Sequence, residues 1–180
     1  VRWFDALARL VTVAFLLAAC APRATEAGTS APTSPAPTSV GATVRAAFSD
    51  RGVVWVTNGR VYLARAPGFQ VEAVRTPGQA ADAAWHEGDA WVALPAAGWV
   101  QRVTGRPDVV QVGRAYRLTA TRVYREDGSA VTYTGAGTTG MLGAPDAVVT
   151  GGDGLDYALQ SGRLYKLGTS RLLVSERAAG

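Results

Sequence analysis

The sequence predicts an all-β folded part, and three observations predict it. Helix-favouring Lys, Glu, Gln and Met are scarce, whereas 21 Gly and many Val, Thr, Tyr and Trp residues suit turns and strands. Short apolar runs alternate with turns that set Asp or Glu beside Gly, and the pattern recurs about four times after residue 43. With 48% hydrophobic residues in 180 positions, roughly 135 residues beyond the N-terminal segments suffice for one core. The expected architecture is an array of about four antiparallel units of three to four strands. A β-sandwich whose hairpins merely repeat is the alternative.

Residues 1–19 come first. Arg2 and Arg9 precede an apolar run from Leu10 to Ala19. That run is shorter than the roughly 20 residues a bilayer span needs, but it suits the apolar region of a secretion signal. It ends in Leu17-Ala18-Ala19-Cys20, which resembles the lipobox of bacterial lipoproteins. The resemblance implies cleavage before Cys20, a diacylglycerol on its sulfur and a further acyl chain, such as palmitate, on its new amino group. Each buried methylene contributes about 0.8 kcal/mol, so two or more chains hold durably where one does not. The competing reading is a buried helix with an incidental cysteine. Ala21 follows where an Asp would signal inner-membrane retention, which points to the outer membrane if the organism has one.

Residues 20–43 form the second segment, with four Pro, eight Ser or Thr and Val40 as the one large apolar residue after Cys20. Such a stretch cannot bury enough surface to offset its ordering entropy and is expected to be a disordered linker. Its reach is up to roughly 60 Å. It would hold the folded part off the membrane.

Residues 44–180 carry the repeats. RAAF, VVWVT, RVYLAR and VEAVR make the first unit, with turns at SDRG and Asn58-Gly59. DAAWH, AWVAL, WVQRVT and VVQV make the second. The third begins at RVYRE, turns at Asp127-Gly128, continues through AVTYT and dissolves into GAGTTGMLG. The fourth has DAVVT, LDYALQ, LYKLG and RLLVS. Matching Phe48, Trp85, Tyr124 and Val149 as first-strand anchors gives spacings of 37, 39 and 25. VVWV and AWVAL are apolar on both faces, as expected of strands between neighbouring sheets. The units resemble β-propeller blades, and the resemblance implies a ring or an open arc that another copy could complete.

Composition excludes several functions. Seventeen Arg and one Lys against 14 acids give a net charge of +4, or about +3 once residues 1–19 are removed, but the basic residues are spread singly. No basic patch points to nucleic acid. One cysteine allows no disulfide framework and no zinc cluster, and no cofactor motif is present.

The candidate site residues are few. His86 beside Glu87 could serve as an acid–base pair, though an ordinary turn histidine is the simpler reading. Asp153 and Asp156 sit in GGDGLD, yet two carboxylates supply too few oxygens for calcium. Trp99 after a Gly turn, with Tyr133 and Met141 in the Gly/Thr-rich stretch 132–143, are the expected binding surface. The preferred function is a membrane-anchored, non-catalytic envelope module that binds a protein or glycan partner. The alternatives are a propeller-type hydrolase or lyase, and a structural component that self-associates.

Overall fold

Local turn chemistry builds the sheets. Asn58 and Gly59 both adopt positive φ, 50° and 73°, which reverses the chain in a two-residue hairpin of the twist that antiparallel strands require. Glu87-Gly88 and Ser161-Gly162 repeat that backbone pattern. The computed structural model describes residues 43–176. Residues 1–42, with the signal segment, Cys20 and the Pro/Thr/Ser-rich linker, lie outside the described residues.

Four four-stranded antiparallel sheets follow in chain order, and no helix occurs among the described residues. Blade 1 comprises β1 (Val44–Ser49), β2 (Gly52–Thr57), β3 (Arg60–Arg65) and β4 (Gln70–Val74). Blade 2 comprises β5 (Asp82–His86), β6 (Asp89–Leu94), β7 (Trp99–Arg102) and β8 (Asp108–Gln111). Blade 3 comprises β9 (Ala115–Leu118), β10 (Val123–Arg125), β11 (Ala130–Val131) and β12 (Gly137–Thr138). Blade 4 comprises β13 (Ala147–Thr150), β14 (Asp156–Gln160), β15 (Arg163–Leu167) and β16 (Arg171–Ser175). Within each sheet the strands pair in sequence order, which is the propeller-like arrangement. Four sheets, not two, replace the sandwich alternative.

Three of the four units fall where the sequence pattern sets them, and the third does not. Tyr124 lies on β10, the second strand of blade 3, and the first strand is Ala115–Leu118. First strands therefore begin at 44, 82, 115 and 147. AYRL hides from a hydropathy reading because Arg117 interrupts it. In the fold Arg117 is nonetheless buried, its guanidinium 3.8 Å from the Tyr116 ring centroid. The tail of the unit does not dissolve either, since Gly137–Thr138 completes the sheet. In blade 4, Val149 points to the opposite sheet face from Phe48 and Trp85, because its neighbour Val148 is the one packed on blade 3.

The core is three layers between successive blades. Val54, Leu63, Trp85 and Val92 fill the first, Trp91, Val100, Val123 and Tyr133 the second, and Tyr124, Ala158 and Leu167 the third. No such buried cluster joins blades 4 and 1 among the described residues. Burial along the second strands records this. In β6, between two neighbours, Ala90 through Leu94 are all buried, whereas β2 alternates buried and half-buried residues. Among the described residues, one face of blade 1 is covered by another blade and the other is not.

Candidate functional site

The first strands of all four blades line one cavity of about 410 Å³. Arg45, Asp82 and Arg117 bring charge to it from β1, β5 and β9, and Thr150 brings a hydroxyl from β13. Asp82 is buried, and its two oxygens accept from the backbone amides of Ala83 at 3.0 Å and Leu118 at 2.9 Å. Burial pushes its carboxyl above the ordinary value in spite of those bonds and of Arg117 and Arg45 nearby. Arg117 donates through Nη1 to the Tyr116 carbonyl at 3.1 Å, and its Nε is buried without a partner. Two guanidinium groups against one carboxyl make the cavity electropositive. Sequence reading missed Asp82 and Arg117 because each stands alone in an apolar strand.

His86 and Glu87 lie in a separate cleft of about 310 Å³ between blades 2 and 3. The imidazole stacks on Tyr133, ring centroids 4.0 Å apart, and meets the Trp91 edge. Its Nδ1 is 2.8 Å from the Ala120 carbonyl oxygen, so in the neutral ring Nδ1 carries the proton and donates. Nε2 then holds the lone pair, 3.9 Å from Glu87 Oε2. Asp89 lines the same cleft, but its oxygens accept from Arg102 at 3.2 Å and Thr104 at 2.8 Å.

Asp153 and Asp156 do not share a site. Asp156 is fully buried and faces blade 3, accepting from Thr119, Tyr124 and Thr150, each at 2.8 Å. Asp153 is on the other side of the sheet, 2.7 Å from Lys166 Nζ and accepting from the Tyr157 hydroxyl at 3.0 Å. The Lys166 bond, with the Leu155 amide, holds its carboxyl down at about 2.

The expected aromatic surface is corrected in two places. Tyr133 is 3% exposed, with its hydroxyl donating to the Thr119 carbonyl at 2.7 Å, and Met141 is 5% exposed against Tyr124 and Ala158. Gly and Thr composition reads as a solvent loop, but blades 2 and 4 close over these two side chains. Burial also pushes the Tyr133 hydroxyl well above its ordinary pKa, so it remains a donor. Trp99 is half-buried at the rim, where its Nε1 donates to Gln111 Oε1 at 3.0 Å.

Leu142 of that stretch is 77% exposed, but the exposed apolar surface that gathers on a sheet face lies on the outward faces of blades 1 and 4. On blade 1 it includes Phe48, 75% exposed, Val53, Val71 and the stacked pair Trp55 and Tyr62, 5.5 Å apart. On blade 4 it includes Val149, 62% exposed, Tyr157, Leu159, Leu164 and Leu172. Patches of this kind mark interaction surfaces in soluble domains.

No family model matches the chain, and no curated protein matches it. Solved structures do. Catalytically inactive virginiamycin B lyase from Staphylococcus aureus with quinupristin superposes with a TM-score of 0.57 at 14% identity, over 78% of this chain and 57% of that one. Glutaminyl cyclase from Myxococcus xanthus gives 0.52 at 12% identity, over 76% and 75%. A chain of the mitotic checkpoint complex gives 0.52 at 13% identity, over 82% and 58%. All three are β-propeller-type folds. Identities this low establish the fold alone, and the chain spans little more than half of the lyase and checkpoint chains.

Proposed function

We propose that this protein is a non-catalytic assembly module of the cell envelope, held to a membrane by acylated Cys20 and binding a protein partner. The observation that carries the reading is the pair of apolar outward faces on blades 1 and 4. The lipobox-like LAAC and the Pro/Thr/Ser-rich linker support the tether. Anchoring confines the module to two dimensions, and the linker sets its search radius, which raises the effective concentration of partners on the same membrane.

The test places a photoreactive residue at Tyr157 in the full chain within the producing cell. An adduct with a protein is expected, and adducts with glycan alone, or none, would overturn the reading. Fractionation of wild type and Cys20→Ala tests the tether separately. The variant should leave the membrane fraction, and its retention there would sink the anchoring.

A second reading, a hydrolase or lyase, is favoured by one observation. The Ala120 carbonyl fixes the His86 tautomer and leaves the Nε2 lone pair in a cleft beside Glu87, where a general base could meet a substrate proton. Turnover abolished by His86→Gln, with the fold intact, would establish it.

A further inference from the structure

The two outward faces repeat the two halves of the interfaces already present inside the chain. Blade 2 meets blade 1 through Trp85, which is 9% exposed, and Phe48 holds the equivalent place on β1 but is 75% exposed. The outward face of blade 1 is therefore built like a face that receives a preceding blade. On the forward face of blade 2, Trp91 is paired in register with Arg102, whose guanidinium lies 5.8 Å from the indole and binds Asp89. Blade 4 repeats this on its outward face. Tyr157 is in register with Lys166, whose Nζ lies 5.5 Å from the ring and binds Asp153. In blade 2 this group is covered by an aromatic of the next blade, Tyr133, 5.2 Å from Trp91. In blade 4 no aromatic covers it among the described residues. Blade 1 offers two aromatics for such a place, Trp55 and Tyr62.

Resting on the assembly reading above, we propose that the occupant is a second copy of this chain, its blade 1 docked on blade 4 of the first, and reciprocally. Charge agrees at the rim where the first strands begin. There blade 1 exposes Arg60, and blade 4 exposes Asp146 and Glu176 beside a single Arg163. Area argues for two junctions and not one. Four strands about 4.8 Å apart and about five residues long present a face of roughly 300 Å², so one junction buries roughly 600 Å² in total. Two junctions bury roughly 1,200 Å², the lower bound for a stable interface. A head-to-tail contact that closes in this way gives a discrete dimer.

The test measures the mass of the full chain carrying Cys20→Ala in dilute detergent, by light scattering and sedimentation. Wild-type faces should give a dimer. Phe48→Glu and Val149→Glu, both at exposed positions, should each weaken it about a hundredfold or more, because each puts an unpaired charge into both junctions. Circular dichroism checks that both variants fold. An equimolar mixture of the two variants keeps one junction whole, so it should associate more tightly than either variant alone and far more weakly than wild type. A dimer that survives either variant means the faces pair with themselves, and overturns the proposal. A chain that stays monomeric at all concentrations, while Tyr157 crosslinks a different envelope protein in cells, overturns this proposal and leaves the assembly reading standing. A monomer with no crosslink overturns both.

Discussion

The indole nitrogen of Trp85 donates a 3.1 Å hydrogen bond to the carbonyl oxygen of Ala47, pinning the first strand of blade 2 to the first strand of blade 1. The same ring fills the layer with Val54, Leu63 and Val92, so one side chain both packs and registers the interface.

Trp85→Ala is therefore expected to lose about 3–5 kcal/mol of stability, and Trp85→Phe about 1 kcal/mol more than its lost ring volume alone. Phe48→Ala, at the equivalent but exposed position, should stay within about 0.5 kcal/mol in the monomer. Urea unfolding of the three variants checks this. Equal losses at Trp85 and Phe48 would contradict the uncovered face.

Asp82 makes stability fall as pH rises. Burial raises its folded pKa above 3.8, so the folded chain binds this proton more tightly than the unfolded chain does. The contribution is largest below 3.8 and declines as pH climbs through the folded pKa. Subtracting Asp82→Asn from wild type in a pH series of unfolding midpoints should isolate that downward slope. A slope of opposite sign would refute the assignment.

Asp153 acts in the opposite sense. Its folded carboxyl titrates at about 2, below 3.8, chiefly through Lys166, so its contribution is present above 3.8 and fades as pH falls towards 2. The pair is partly exposed, and molar salt should shrink the effect. Carboxyl chemical shifts followed by NMR should show the low midpoint in wild type and its return towards 3.8 in Lys166→Met.

Gly128 turns β10 into β11 at φ +83°, and a Cβ there would run into the Gly143 carbonyl. Gly128→Ala should cost more than about 3 kcal/mol, since strain and a backbone clash combine. Gly154, at φ +75° with open space around it, isolates the conformational part. Gly154→Ala should cost about 1–2 kcal/mol by thermal unfolding.

Much of the fold is legible in local pattern. Gly-containing turns and apolar runs mark blades 1, 2 and 4 strand by strand, because hairpin geometry depends on residues close in sequence. Blade 3 resists that reading. Arg117 breaks the apolar run of β9, and its burial there is offset by the Tyr116 ring and carbonyl and by Asp82, none of which local pattern announces. The sites were less legible than the fold. His86 and Glu87 are neighbours in sequence and remain so in their cleft, but Tyr133 and Met141 move from an expected surface into the core. Asp82 and Arg117 meet at the cavity only because β5 and β9 both line it.

In blades 1, 2 and 4 the sequence by itself determines where strands begin, where they turn, and which residues alternate on each sheet face, since all three follow from neighbouring dihedrals and side-chain volume. Only the tertiary structure decides which of those faces another sheet covers. Phe48 and Trp85 are equivalent aromatics in equivalent strands, and one is 75% exposed while the other is 9% exposed. A strand specifies two faces through its own pleat, but burial of either requires a neighbour from another part of the chain, or from another chain altogether.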